Sequence, residues 1–210
     1  MKIDNPKMQE QWMKSETIEV LESKVEYRNQ LIESMSLDHQ EAAKASFENV
    51  IFRNVIISDS TLENFEFTDV IFENCDFSNV QLPEAFMHRV LWKNCKMVGT
   101  DFSNSRLQNV RFIECVGDYS NFRFAHLKQV SFAESSFIHS DFAYLAMQKI
   151  VMDNCNIDQA SMMGTKMKDM DLSNCHFDSL VLNMEDLSGC IISPYQAATF
   201  VGLMGMIIKS

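Results

Sequence analysis

Residues 70–82 read Val-Ile-Phe-Glu-Asn-Cys-Asp-Phe-Ser-Asn-Val-Gln-Leu, and three large apolar residues in them, Phe72, Phe77 and Leu82, fall five apart. The beat extends both ways. Backwards it passes Phe67, Leu62, Ile57 and Phe52 to Phe47; forwards it passes Met87, Trp92, Met97 and Phe102 and runs on to Ile192. Of the thirty positions at steps of five from 47 to 192, only Gly117 is not a sizeable hydrophobe. Two residues before each stands a smaller side chain, usually Ala, Val, Ser, Thr or Cys. Neither the helical period of 3.6 nor the strand period of 2 produces this spacing. A short extended triplet followed by a tight turn does.

In Cys75-Asp76-Phe77 the first and third side chains share one face, and Ser78-Asn79 are turn formers that rotate the chain for the next triplet. Four such sides per coil would stack residues twenty apart. Cys75, Cys95, Cys115, Ser135, Cys155 and Cys175 form one such column, and Val50, Val70, Val90, Val110, Val130 and Ile150 another. Asn54, Asn74, Asn94, Asn154 and Asn174 form a turn column interrupted by Glu114 and Glu134. Agreement at twenty, which the five-residue beat does not impose, predicts a solenoid.

The units from Ala45 to Pro194 resemble the pentapeptide-repeat family, A-(D/N)-(L/F)-x-x. That resemblance implies an all-β solenoid, a right-handed quadrilateral parallel β-helix, here of about 7.5 coils. Three segments are expected. Residues 1–44 carry Trp12, Ile18, Leu21, Val25, Ile32 and Met35 at mixed threes, fours and sevens, which predicts an amphipathic helix over 8–36. It would cover the first coil or recruit a partner. Residues 45–194 form the β-helix. Residues 195–210 form a C-terminal cap, a short helix after Pro194 and then a final apolar strand over 205–209, with Tyr195, Phe200, Leu203, Met206, Ile207 and Ile208 as a homodimer contact.

Packing changes along the rod. Phe holds 11 of the 20 central sites from 47 to 142 and one of the ten from 147 to 192. Leu145, Ile150, Met170 and Leu180 enlarge the small site in compensation. Gly117 predicts a kink or small void, partly filled by Val116 or Tyr119. Glu185, at an interior position, marks the last coil opening to solvent.

The six cysteines, Cys75, Cys95, Cys115, Cys155, Cys175 and Cys190, occupy the small interior site and read as buried thiols of a reducing compartment rather than metal ligands. No signal peptide or membrane-length apolar run is visible, so a soluble cytoplasmic protein is expected, with no membrane contact. His39, His88, His126, His139 and His176 fall on different sides or outside the rod, and no nucleophile–base pairing or phosphate-cradling loop is evident. Catalytic residues, cofactor and metal are therefore each expected to be none.

The repeat region holds 20 acidic and 11 basic residues. The two sides centred on Ile57/Phe77/Met97 and Leu62/Leu82/Phe102 carry Asp59, Glu63, Asp76, Glu84, Asp101, Asp118, Asp141, Asp158 and Asp178 against Lys96 and Arg123. The side centred on Met87, Leu107 and Leu127 carries Arg89, Arg106, Lys128, Lys149, Lys166 and Lys168. An acidic rod closed by a Gln-Ala helix and an apolar tail (Gln196-Ala197 through Ile208) looks like the Qnr and MfpA proteins. That resemblance implies a dimer that imitates duplex DNA on DNA gyrase or topoisomerase IV and modulates quinolone action; the net negative charge argues against direct nucleic-acid binding. The other reading is a protein-interaction scaffold recruited through residues 1–44.

Overall fold

The computed structural model describes residues 2–8, 10–203 and 205–207, without the side chains of Trp12 and Leu203. Ten strands follow in order: β1 (Lys14–Ser15), β2 (Glu26–Glu33), β3 (Glu41–Ala43), β4 (Ser46–Arg53), β5 (Thr61–Glu63), β6 (Glu66–Glu73), β7 (Phe86–Lys93), β8 (Arg106–Ile113), β9 (His126–Ala133) and β10 (Ala146–Asp153). Among the described residues one α-helix, α1 (Ala197–Leu203), follows them, and single 3₁₀ turns sit at Glu10–Trp12 and Met184–Leu187. The long strands stack in parallel in the order β1-β2-β4-β6-β7-β8-β9-β10, and β3 pairs with β5.

From β2 onward the register is twenty residues: Phe47 faces Phe67, Val50 faces Val70, Phe52 faces Phe72, and so on to Phe132 facing Met152, whereas β1 sets Lys14 against Gln30. Each long strand spans two sides of the coil, joined at a corner with positive φ. Isolated parallel bridges twenty apart, such as Asp76–Lys96 and Asp101–Asn121, mark the other two sides. We number the sides by their inward residues: first (Phe47, Phe67, Met87), second (Phe52, Phe72, Trp92), third (Ile57, Phe77, Met97) and fourth (Leu62, Leu82, Phe102).

The backbone repeats the same beat. Nearly every fifth residue from Lys24 to Asp169 has φ between +50° and +70°. Left-handed backbone suits Gly and, among L residues, Asn and Asp, which accounts for Asn29, Asn49, Asn54, Asn64, Asn74, Asn79 and Asn94 at these corners. Inside, rings stack along the rod and meet edge-on across it. Phe112 and Phe132 stack at 4.9 Å, while Phe132 and Phe137 meet edge-on at 5.1 Å.

Residues 8–36 do not form a helix. Glu26–Glu33 is strand β2, paired with β4, and Tyr27, Ile32, Leu37 and Ala42 point inward and are buried. The five-residue beat therefore begins a full coil earlier than Phe47. The expectation failed for a geometric reason. Inward residues of a pentapeptide coil alternate gaps of two and three, whose sums include the threes and sevens of a helical stripe. Residues 14–21 cover the open coil without a helix: β1 pairs with β2, the Glu16 amide donates to the Leu31 carbonyl (3.1 Å), and Leu21 is buried.

Residues 2–8, with Glu10, form a strap across the outer corner of the first and second sides. Gln129 Nε2 donates to the Lys2 carbonyl (2.8 Å), Arg111 to the Ile3 carbonyl (2.9 Å), the Asp4 amide to Asn109 Oδ1 (3.2 Å) and the Lys7 amide to Asp69 Oδ1 (2.9 Å). Glu10 closes the series on Arg53 at 3.1 Å. Ile51 points outward in β4 and is nevertheless only 2% exposed, which places it beneath this strap.

Gly117 leaves no void, and neither Val116 nor Tyr119, both exposed, fills the space; the ring of Phe137 in the next coil does. Leu145, Met170 and Leu180 are buried and Ile150 half-buried, as the exchange of volume requires. At the C-terminal end Glu185 is exposed and its neighbour Asp186 turns inward instead. The turn leading into α1 caps the last coil through Gln196, whose side-chain amide donates to the carbonyls of Leu172 and Cys175 at 2.8 Å each. Residues 205–207 form a turn and irregular backbone rather than the start of a strand; the remainder of the expected strand, 208–209, lies outside the described residues.

Candidate partner-binding faces

Outward residues of the triplets do two jobs on the third and fourth sides. Asp76 Oδ1 accepts the Ser78 amide (2.9 Å), Asp101 the Ser103 amide (2.9 Å) and Asp141 the Ala143 amide (2.8 Å), each closing its own turn. Asp118 accepts from Ile138 one coil on, and Asp158 accepts the amides of Asp178 and Ser179 (2.9 Å each). Burial works to raise the Asp76 and Asp158 carboxyls, but these hydrogen bonds outweigh it and hold both below the ordinary carboxylate range. Asp76, Asp101, Asp118, Asp141 and Asp158 are accordingly half-buried and held in place, whereas Asp59, Glu63, Glu84 and Asp178 stand exposed.

Two ion pairs temper the acidity, Lys96–Asp76 at 3.4 Å and Arg123–Asp141 at 3.2 Å. On the first side, Arg89 is committed to Asp69 and Lys166 to Asp186 (2.7 Å), while Arg106, Lys128, Lys149 and Lys168 remain exposed. The basic strip is thus part structural.

The cysteine column lies inside, in register, with all five of its thiols buried. Cys95 Sγ donates to the carbonyls of Phe72 and Lys93 (3.4 Å each), a pattern repeated along the column. Burial pushes the thiol of Cys175 up to about 12 and that of Cys190 to about 11, which keeps both protonated at neutral pH. Among the described residues no group of three or more His, Cys, Asp or Glu side chains is placed to hold a metal ion.

An open cleft of about 690 Å³ lies between the last coil and α1, lined by Asp153, His176, Asp178, Tyr195 and Thr199 among others. No hydrogen bond there joins the His176 ring to a nucleophile among the described residues. Of the expected dimer contacts, Phe200 is turned inward onto Phe177 (centroids 5.8 Å apart) and serves the cap. Tyr195 and Ile207 are 93% and 96% exposed and Met206 is half exposed. The Leu203 side chain and Ile208 lie outside the described residues.

Residues 65–136 and 85–162 match the model of the pentapeptide repeat region. Over residues 65–162 the chain is built of pentapeptide repeats. No curated protein matches it. Among solved structures it is similar to HetL of the cyanobacterium Nostoc, described as involved in heterocyst differentiation regulation. The two share 12% identity over 81% of this chain and 86% of that one, with a TM-score of 0.61. QnrB1, described as a plasmid-mediated fluoroquinolone resistance protein, aligns with 14% identity over 90% of this chain and 99% of that one, at a TM-score of 0.44. At 12% identity the likeness to HetL is one of fold. No helix among the described residues is long and apolar enough to cross a membrane. Residues 26–43 lie in the first coil and not in a helix, so recruitment of a partner through residues 1–44 would not use an amphipathic helix there; the repeat fold itself is that of a scaffold.

Proposed function

We propose that this protein is a non-enzymatic, cytoplasmic binding rod whose third and fourth sides meet a basic protein surface. In its specific form the rod takes the place of duplex DNA on a type II topoisomerase and modulates quinolone action. The observation that carries the reading is the fixing of the acids. Asp76, Asp101, Asp118, Asp141 and Asp158 are each anchored by a backbone amide. An anionic array already immobilised forfeits little side-chain entropy on binding. Charge density is lower than in the nucleic acid: a duplex as long as 7.5 coils at ~4.8 Å, about 36 Å, carries about 21 phosphates. Nine carboxylates spread over two adjacent sides act by position rather than by number. A homodimer through the exposed Tyr195, Met206 and Ile207 would double the length of the array.

The test is DNA gyrase supercoiling, with and without a quinolone, in the presence of the full chain. Inhibition or quinolone protection at micromolar protein supports the reading, and no effect at micromolar excess of a confirmed dimer rejects it. Charge reversal belongs at Glu63, Glu84 and Asp178, whose side chains are exposed and make no hydrogen bond among the described residues; Asp101, Asp118 and Asp141 hold turns together. Glu63→Lys, Glu84→Lys and Asp178→Lys together should abolish the effect without lowering the melting temperature.

A further inference from the structure

Three corner positions with positive φ carry Phe or Tyr: Tyr119 (φ 61°), Phe124 (φ 61°) and Tyr144 (φ 55°). With His139 (φ 58°) they sit in two successive coils and line both edges of the fourth side. Tyr119 stacks on His139 (centroids 5.0 Å apart, planes 16° apart) at the edge shared with the third side. Phe124 stacks on Tyr144 (5.3 Å, 19°) at the edge shared with the first. The guanidinium of Arg123 lies 5.1 Å from the Phe124 centroid and 4.9 Å from that of Tyr144. Between the two aromatic edges run the outward Asp101, Asn121 and Asp141.

Stability does not explain this arrangement. Left-handed backbone is unfavourable for bulky residues, on the order of 1–3 kcal/mol each, and a stacked pair returns only about 0.5–1.5 kcal/mol. Asn, which fills so many of the other corners, would be the better structural choice. The rings are also exposed, 62% for Tyr119, 46% for Phe124 and 43% for Tyr144. Tyr and Arg are the residues that anchor protein interfaces. Beyond the Phe124–Tyr144 stack the column ends in Gly164, where a Cβ would stand 2.5 Å from the Tyr144 ring, so the following coil also accommodates it.

We infer that this aromatic-edged shelf is a docking site for a Lys- or Arg-bearing segment of a protein partner. The inference rests on the third and fourth sides being the binding face, and it names what they take. Charge selects the occupant. On the third and fourth sides Asp101, Asp118, Asp141 and Asp158 accompany the rings against Arg123, which is already paired with Asp141, while the exposed bases of the first side (Arg106, Lys128, Lys149, Lys168) lie beyond the Phe124–Tyr144 edge. Tyr119, 62% exposed, is the more accessible ring, while Tyr144, flanked by Phe124 and Gly164, already carries the Arg123 guanidinium and shows that this edge takes a cation.

The experiment titrates the full chain into a fluorescein-labelled decapeptide of alternating Lys and Gly, with an alternating Glu and Gly peptide as control, and reads anisotropy. The lysine peptide should bind and the glutamate peptide should not. The double variant Tyr119→Asn/Tyr144→Asn should weaken binding at least tenfold while its melting temperature stays level or rises, because Asn relieves the left-handed corners. Unchanged affinity in that variant overturns the inference, as does a fall of several degrees in its melting temperature, which would make the rings structural. If Glu63→Gln/Glu84→Gln removes binding and the aromatic variant does not, the acidic faces stand and the shelf falls. Binding that depends on the rings, with gyrase unaffected, leaves the shelf in place and removes the topoisomerase reading. Concentration-dependent self-association lost on Tyr119→Asn, with no peptide binding, would mean that the shelf takes a second copy, and that too overturns the inference.

Discussion

The ring of Phe137 occupies the space that a side chain on Gly117 would need: a Cβ there would stand 2.7 Å from Cδ1 of that ring and overlap Cε1 more closely still. Gly117 breaks the apolar series because its successor in the column has taken its volume. Gly117→Ala should therefore destabilise the protein although its backbone angles suit alanine. Overpacking of this kind costs about 1–3 kcal/mol, or several degrees of melting temperature in a chain of this size. Gly117→Ala combined with Phe137→Leu should recover much of the loss. If Gly117→Ala melts at the wild-type temperature, the ring does not hold that space.

Phe132 tests the core in the opposite direction. It is fully buried and touches rings on four neighbours, stacking on Phe112 and meeting Phe122, Phe137 and Phe142 edge-on. Phe132→Ala should cost about 3–5 kcal/mol. Measured by urea unfolding, that loss should appear as a lower midpoint with little change in slope.

What could be read from the sequence was whatever repeats. The Val50 and Cys75 columns and the inward Phe series follow from one period, and the coil reproduces them because stacked strands place like residues on like. The first coil was hidden because Tyr27, Ile32 and Ala42 obey that period too weakly in side-chain size to outweigh a helical stripe. The strap was hidden for a different cause. Its partners Asp69, Asn109, Arg111 and Gln129 are outward residues, and no pattern in residues 2–10 says which distant side chains will bond their backbone. The acids could be sorted to faces, but not into those that close turns and those that stand free. That division depends on hydrogen-bond geometry.

The strap offers its own test through Asp69, which accepts Arg89 through two hydrogen bonds of 2.6 Å and the Lys7 amide through a third. Deleting residues 2–10 should uncover Ile51 and raise binding of a dye that reports exposed apolar surface, with a lower melting temperature. Asp69→Ala should be worse than the deletion, because it also strands the largely buried Arg89 guanidinium without its partner, at a cost of about 3 kcal/mol or more. Equal melting temperatures for the deletion and the wild type would show that the strap contributes nothing to the rod.

Asp186 gives the acid end of the stability profile a definite sign. Its buried carboxylate accepts Lys166 Nζ (2.7 Å), the Gly164 amide (3.0 Å) and Asn183 Nδ2 (3.1 Å). The hydrogen bond from Lys166, ahead of the others, holds its carboxyl below the ordinary carboxylate range. A depressed folded-state value means that the stabilisation is fully present above the unfolded carboxyl's pKa of about 3.9 and is lost as pH falls through the lower folded value. Thermal unfolding between pH 7 and pH 3 should steepen at the acid end in the wild type. Asp186→Asn should be less stable at pH 7 and flatter below pH 4. Parallel profiles for the two proteins would remove Asp186 from the acid response.

Along the corner between the second and third sides, Asn74 Nδ2 donates to Asn54 Oδ1 (3.2 Å) and Asn94 Nδ2 to Asn74 Oδ1 (2.8 Å), and the ladder then stops at Glu114 and Glu134. Both glutamates hold left-handed backbone, φ 56° and 51°, and follow each other in the column like charge over like charge. Glu114→Asn/Glu134→Asn should stabilise the protein for three reasons: Asn tolerates the conformation, the repulsion disappears, and the amide ladder runs through. The expected gain is about 1–2 kcal/mol for the pair. Glu114→Gly/Glu134→Gly separates the causes, since it relaxes the backbone and removes the charge but supplies no amide. If the glycine pair gains as much as the asparagine pair, the ladder adds nothing and backbone relief with lost repulsion accounts for the whole effect. If neither gains, the left-handed corners of this rod are set by the stacking of its coils strongly enough to accept any side chain that points to water.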